Sequence, residues 1–566
     1  MQQDSSRRPY DPNPRYPAAD PGVGRGWSAA LAELPDSVRV LAVDGPWSLD
    51  WAGLVARLAA LRPDLRAIDM RSGLASWEKI KDRTEAGALV DDPNFLALSQ
   101  ASLADFFDAL PAPAPGPGLT VLYGPGAALA DHDALWYADL PKRYAEAAVA
   151  QGTATNLGQS PSDGRATTRR LFYVDWPVLD RHRDEIAARI DRWLDLQDPE
   201  EPASLSGTAL RATVGELARR PFRTRPTFNT TPWGGQWGRE KLGFNPEAPN
   251  TALGYELIAP ESGVLLGDAR AQVEIPFQLL VALHPEPVLG RRVHEVFGTS
   301  FPIRFDYLDT VAGGNLSLHC HPQPAYMKEV FGWPYTQHET YYVMVGGEHN
   351  TVFLGLREDA DLERFQAQAA AADQGGADFA VEQYVQTFPA AEHQLFLIPA
   401  GTPHGSGKGN VVLEVSATPY LYSLRFYDWL RKDEQGRPRS VHVGHAFRNL
   451  DTERTGDNVD RDLVQAPRPL REGDGWTEEL IGELDEMFFV VHRLRLSPAA
   501  TAPDDTDGRF HVINVVEGEG VRVETASGHT HQVQYAETLV IPAAVGAYTL
   551  TALGATDTRI VKAFVK

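Results

Sequence analysis

NLSLHCHP, residues 315–322, alternates Leu316, Leu318 and Cys320 with Ser317, His319 and His321. A β-strand sends successive side chains to opposite faces, so this segment puts its apolar set on one face and both imidazoles on the other. Two imidazoles at i and i+2 then converge on one point. Downstream, Glu339 lies in the strand-like HETYYVMV (338–345) and His404 in the turn-rich PAGTPHGSG (399–407). Three imidazole nitrogens and a carboxylate suit Zn²⁺, Fe²⁺, Mn²⁺ or Co²⁺, with positions left open for water or substrate. Taken singly, each histidine could instead hydrogen-bond within a sheet wall. Cys320 points to the apolar face and is read as a buried structural thiol.

Working outward, short apolar or alternating runs separated by Gly and Pro dominate from Thr227 onward, among them YELIAPESGVLLG, NTVFLGL, HQLFLIPAG and VVLEVSATP. Many short strands with regular turn signals argue for a jelly-roll barrel or sandwich. One helix, REDADLERFQAQAAAA (357–372), interrupts them. After the polar segment 451–475 the strands resume as a second, smaller β domain, in which His511 has no second histidine at i+2. Upstream, VRVLAVDG (38–45), a helical PWSLDWAGLVARLAALR, LRAIDM and LTVLYGPG read as βαβ units of an α/β domain to about residue 200. KRYAEAAVAQG and VLDRHRDEIAARIDRWLDL follow as helical segments. The expected order is a disordered leader over 1–35, the α/β domain over 36–200, a linker with one short helix over 201–225, a metal-binding β domain over 226–450, and a metal-free β domain over 451–566.

The 566 residues carry a net charge of −23, with 43% apolar and 23% charged side chains. Without a segregated basic face, that charge repels a phosphate backbone, so nucleic acid is not an expected partner. A single cysteine excludes an internal disulfide framework and fits a reducing cytoplasm. No run of about 18 apolar residues is uncharged, so no membrane span is expected. Oligomeric state is not legible.

A strand-borne HxH, a strand-borne glutamate and a Pro-x-Gly-x-x-His turn, in that order, resemble the ligand pattern of the cupin superfamily. PWGGQWG (232–238), ALGYELIAPESG (252–263), LSLHCHP, HETYYVM, LIPAGTPHGSGKGNVVLEVS (397–416) and LRFYDWLR (424–431) look, in sequence order, like successive blocks of type I phosphomannose isomerases. The resemblance covers about residues 225–566. It implies two cupin domains with helical insertions behind the α/β unit, one divalent metal with zinc foremost, and interconversion of mannose 6-phosphate and fructose 6-phosphate through a cis-enediol. It makes His319, His321, Glu339 and His404 the metal set, with His319 standing where the family usually has glutamine. Arg425 falls on the active-site arginine, Ser317 on the phosphate-site serine, and Glu414 on the glutamate of the LLEI-type strand; Trp233 could close a sugar pocket by stacking. Two family lysines are replaced, one by Asp306 in FPIRFD and one by Gln337 before His338-Glu339. Arg304, Lys328 and His338 are the candidates to supply charge or carry a proton in their stead.

The opening VRVLAVDGPWSLDWAGLVARL resembles the first strand, loop and helix of P-loop nucleoside and uridylate-type kinases, and RLFYVDWP resembles a later strand. The loop lacks the GK[ST] that cradles phosphate and Mg²⁺, so this domain is expected to be degenerate. Asp44, Asp69 and Asp175 are expected at strand ends. Two other functions fit the same residues: a non-catalytic sugar or sugar-phosphate sensor, which the lost lysines suit, and a dioxygenase centre built on the three-histidine, one-glutamate set.

Overall fold

A computed structural model describes residues 10–85, 87–113, 116–432, 436 and 438–566. The N-terminal unit is built on five parallel strands, Val40–Asp44, Arg66–Asp69, Thr120–Tyr123, Ala134–Asp139 and Arg192–Asp195. They lie in the spatial order second, third, first, fourth, fifth. Ala203–Ser206 and Gly24–Arg25 extend the far edge antiparallel. Parallel strands are covered on both faces, which explains the unbroken apolar runs. Helix Trp51–Leu61 packs Trp51, Leu54 and Leu58 toward Leu41, Val43 and Val121, and Asp50 caps it by accepting from the Gly53 N–H at 2.9 Å.

Four expectations for this region are corrected. Residues 10–35, expected to be disordered, are ordered: Arg15–Tyr16 pairs in parallel with Leu265–Leu266, Trp27–Ala32 is helical, and Tyr16 is buried. The stretch 201–225, expected as a linker with one short helix, does hold one helix, Gly207–Leu217, but also the strand Ala203–Ser206, and both belong to the α/β unit and not to a linker. In VLDRHRDEIAARIDRWLDL the helix ends at Ile186, and Arg192–Asp195 is a fully buried strand, because tertiary burial overrides the local helical spacing. RLFYVDWP is a helical turn over Leu171–Asp175 leading into helix Trp176–Ile186, so Asp175 caps no strand; it accepts from Asn156 and the Leu157 N–H.

The middle of the chain folds as two facing antiparallel sheets. One runs Leu395–Ile398, Glu339–Val345, Val411–Ala417, Ile303–Asp309, Leu253–Leu257, Thr227–Asn229; the other runs Val385–Ala390, Gly347–Leu356, His404–Ser406, Leu318–Cys320, Leu424–Tyr427. Helix Leu362–Asp373 is the expected insertion; three further helices between Phe277 and Phe297 carried no distinct signal. The C-terminal part repeats the two-sheet arrangement with six and four strands. In it, buried Lys562 bridges Glu478 and Asp504 at 2.8 and 2.5 Å, and His511 Nδ1 lies 2.8 Å from the Tyr548 hydroxyl. No helix among the described residues is long and apolar enough to cross a membrane.

Arg223 ties these parts together. Its buried guanidinium donates to Glu537 in the C-terminal barrel at 2.6 Å and to the Asp11 carbonyl at 2.9 Å, and it lies 3.9 Å from Glu256 of the middle barrel. Glu256 also accepts from the Tyr10 hydroxyl. Removing one member of a buried ion pair strands the other charge in a medium that solvates it poorly. Arg223→Met should therefore cost about 3–5 kcal/mol, read as a lowered thermal midpoint, and adding Glu537→Gln should restore part of the loss. An unchanged midpoint in the single variant would show that the three-way tie is not a stabilising contact.

Candidate metal centre

His319, His321, Glu339 and His404 each offer one ligand atom, and these atoms lie within 4.8 Å of one another with all four side chains buried. The two sheets supply them jointly. His319 stands directly opposite His404 in the five-stranded sheet, His321 follows the end of the same short strand, and Glu339 opens its strand in the six-stranded sheet. The ring centroids of His319 and His404 are 4.2 Å apart.

Each imidazole is oriented from behind. Nδ1 of His319 faces the Ser317 carbonyl at 2.8 Å, Nδ1 of His404 the Thr402 carbonyl at 2.9 Å, and Nδ1 of His321 the Tyr422 carbonyl at 3.3 Å. A carbonyl can only accept, so for His319 and His404 the ring hydrogen belongs on Nδ1 and the lone pair of Nε2 is left for the centre. His321 Nε2 lies 2.5 Å from Glu339 Oε2; His404 Nε2, at 3.7 Å from the same oxygen, has no hydrogen-bond partner, and neither has Glu339 Oε1. Buried polar atoms are ordinarily paired. Two orphans aimed at one point, with nitrogen and carboxylate donors around it, fit a divalent cation. Burial, together with the imidazoles of His404 and His321, holds His319 well below the ordinary histidine range; burial also lowers His321. Neutral imidazole is the ligating form.

Behind the set lies a buried charged floor on the six-stranded sheet. Arg304 forms an ion pair with Glu414, donates to Ser416 Oγ at 2.6 Å and lies 3.4 Å from Asp306. The pairings Asp306 with Glu414, Arg304 with Ser416 and Glu339 with Ser416 place these side chains on one face. Burial raises Asp306 to about 7 against the pull of Arg304; Glu414 is raised well above the usual carboxylate range by burial, again with Arg304 opposing and Asp306 and Glu339 adding. Gln337 is buried beside them, with its amide positioned between Arg304 and the Pro419 carbonyl.

At the barrel mouth a cavity of about 1040 Å³ opens between the middle barrel and the N-terminal unit. Arg425 and Tyr255 are on its wall, while the four ligands are not. Arg425 stands opposite His319 in register, and Tyr255 opposite Asp306, so both connect the cavity to the buried set. Arg425 donates to the Ser440 carbonyl at 3.1 Å, and its buried Nε has no partner among the described residues. Asp428, its conceivable ion-pair partner, is instead taken by Arg431 and Arg439. Burial and the nearby Arg439 lower the Arg425 guanidinium to about 10, with Asp428 opposing.

Three candidates are not brought to this place. Lys328 is exposed on the helical turn Met327–Phe331, away from the buried set. His338 is buried, but its Nδ1 accepts from the Ala400 N–H at 3.2 Å and it is not on the cavity wall. Trp233 is packed in the apolar core, its carbonyl accepting from the Gly314 N–H at 2.9 Å; a Cβ at Gly313 would lie 2.3 Å from that oxygen. The turn PWGGQWG thus serves packing. Ser317 contributes its carbonyl behind His319, and Cys320 lies in the apolar cluster with Leu318 and Leu424, as its strand face requires.

Residues 26–219 match a family model described as a domain of unknown function (DUF8485), which lends no support to a kinase-like reading. The chain is similar to the mannose-6-phosphate isomerase of Streptococcus mutans, 25% identical over 298 residues, spanning 51% of this chain and 82% of the relative. It is also similar to the probable mannose-6-phosphate isomerase GmuF of Bacillus subtilis, 24% identical over 340 residues, 58% and 96% of the two chains. Among solved structures, the mannose 6-phosphate isomerase of Bacillus subtilis aligns with a TM-score of 0.47 at 20% identity, over 61% of this chain and 99% of that one. A zinc-bound mannose 6-phosphate isomerase aligns at 0.46 and 16%, over 61% and 100%. Over more than half its length, then, this chain resembles proteins named mannose-6-phosphate isomerase.

The buried His338 gives a signed pH test. Burial lowers it to about 4 from an ordinary value near 6.5. The unfolded chain thus takes up a proton first as pH falls, so the stabilising contribution of His338 is full above about 6.5 and is lost as pH drops toward 4. The stability gap between wild type and His338→Ala, measured by denaturant midpoints, should shrink by about 3 kcal/mol across that window. A gap independent of pH would mean that the ring is not held neutral.

Proposed function

We propose that this chain is a metal-dependent aldose–ketose isomerase acting on a hexose phosphate, with mannose 6-phosphate and fructose 6-phosphate as the pair. The observation that carries the reading is the convergence of three oriented imidazoles and a carboxylate from two sheets, beside an arginine at the cavity mouth that has no carboxylate partner among the described residues. The relatives' names agree with it.

His319, His321, Glu339 and His404 would hold one divalent ion, with zinc favoured by the nitrogen-rich set. When bound, that ion supplies Lewis-acid stabilisation of negative charge on the sugar oxygens. Arg425 orients the anionic sugar from the cavity wall. Arg304 gives the floor the positive charge that Asp306 and Gln337 do not. Asp306 and Glu414 share this one guanidinium, and burial raises both carboxyls against its pull. Glu414, which the resemblance places in the site, is our candidate for carrying the proton between C2 and C1, a role that requires the sugar to reach past the Arg425 wall, because neither Glu414 nor Asp306 lines the cavity. For the N-terminal unit, the loop Gly45–Asp50 has no Lys-Ser/Thr pair, which supports a scaffold that does not bind ATP.

The test is isomerisation of mannose 6-phosphate by the purified chain loaded with Zn²⁺, then stripped with a chelator and reloaded. Activity should vanish on stripping and return with metal. Arg425→Met should lower kcat/KM about 100-fold or more, the usual scale for removing a charge-stabilising donor. If no hexose or pentose, free or 6-phosphorylated, is converted by the metal-loaded protein, the sensor reading replaces the enzyme.

A further inference from the structure

The cavity at the barrel mouth is a joint product of two domains. Phe172, Tyr173 and Glu146 of the N-terminal unit face Tyr255, Tyr420 and Arg425 of the middle barrel across it. At about 1040 Å³ it is at the upper end of ligand-pocket sizes and lies at a domain interface, where such pockets concentrate.

The N-terminal wall is held in place. Helix Lys142–Ala150 begins with Lys142 donating to the Pro260 carbonyl at 2.8 Å and Arg143 gripping both oxygens of Glu274 at 2.8 Å. Tyr173 donates to the Leu421 carbonyl at 3.3 Å, and the Leu98 N–H to the Phe331 carbonyl at 2.8 Å. Glu146 lies three and four residues beyond Arg143 and Lys142, hence on the same helix face, directed to the barrel. It is half-buried yet forms no hydrogen bond or ion pair with any described residue, and burial alone raises its carboxyl above the ordinary range. The other wall acid, Glu261, is occupied by the Tyr420 hydroxyl. An unpartnered carboxylate from one domain and a guanidinium without a carboxylate from the other therefore line the same chamber, among aromatic rings.

We propose that Glu146 is a specificity-determining residue that reads sugar hydroxyls, so that the N-terminal unit forms half of the substrate site. Its ligand class is a polyol carrying an anionic group: hydroxyls donate to Glu146 and pack on the aromatic wall, and the anion sits toward Arg425. This deepens the isomerase reading and rests on it for the identity of the sugar, but binding can be measured without turnover.

Calorimetric titration of the metal-loaded full-length protein with mannose 6-phosphate, mannose and inorganic phosphate separates the contributions. Glu146→Gln should weaken both sugars about tenfold, the scale of one lost charge-assisted hydrogen bond, leave inorganic phosphate within about twofold, and keep the thermal midpoint and metal content of the wild type. Glu146→Asp should recover part of the affinity. Arg425→Met should weaken mannose 6-phosphate and phosphate but not mannose. Equal loss of all three ligands in Glu146→Gln, or a change under twofold for both sugars, overturns the proposal, as does a wild type that binds neither sugar. A wild type that binds mannose 6-phosphate without converting it sinks the isomerase reading while the comparison at Glu146 stands.

Discussion

The middle barrel is organised around a charge imbalance that it cannot export. Glu339, Asp306 and Glu414 are buried against a single buried guanidinium, Arg304, beside three imidazoles, of which burial disposes His319 and His321 to neutrality. Buried carboxylates of this kind must be protonated, paired or neutralised by a cation. Arg304 answers part of the demand by pairing with Glu414 and lying beside Asp306, and burial raises both of those carboxyls. The remainder falls on Glu339 and the imidazoles, where Glu339 Oε1 and His404 Nε2 have no partner among the described residues. Because the ligands come from both sheets, whatever satisfies them also fixes how the sheets face one another.

This centre was legible in the sequence because two periodicities carry it. Alternation in NLSLHCHP sorted His319 and His321 from Cys320, and the glycine and prolines before His404 marked a turn delivering a side chain to a strand start. Alternation also explains the floor, since Arg304 and Asp306, or Glu414 and Ser416, are two residues apart. What the sequence concealed was set by distant contacts. Arg192–Asp195 has helical neighbours and becomes a strand only because a sheet is there to receive it. The leader has the prolines and charge of a disordered tail, and its described part, from Tyr10 on, is held by Leu265, Leu266 and Glu256, some 250 residues away. The chamber wall at Glu146 left no local trace, because a solvated glutamate and an unpartnered one in a domain interface are spelled alike.

The replaced lysines illustrate how position and charge can separate. Asp306 and Gln337 stand where the resemblance to phosphomannose isomerases leads one to expect lysines, yet Arg304, two residues before Asp306 on the same strand face, brings a guanidinium to the interior. A guanidinium is planar, always charged and makes several directed bonds, so the exchange is not a like-for-like one. It trades a titratable amine for a fixed fork held by Glu414 and Ser416. Lys328, which charge alone would nominate, is excluded by its placement on an exposed turn.

The strand Arg15–Tyr16 lies beside Leu265–Leu266, and Tyr10 bonds to Glu256. On a ribosome adding about 5–20 residues each second, roughly 250 residues separate these partners, a wait on the order of tens of seconds. During that interval the parallel sheet of the first unit can assemble, but its leading segment has nowhere to dock and trails with Tyr10 and Tyr16 uncovered. The newborn chain therefore closes over Tyr10 and Tyr16 only after Glu256 and Leu265–Leu266 have been made.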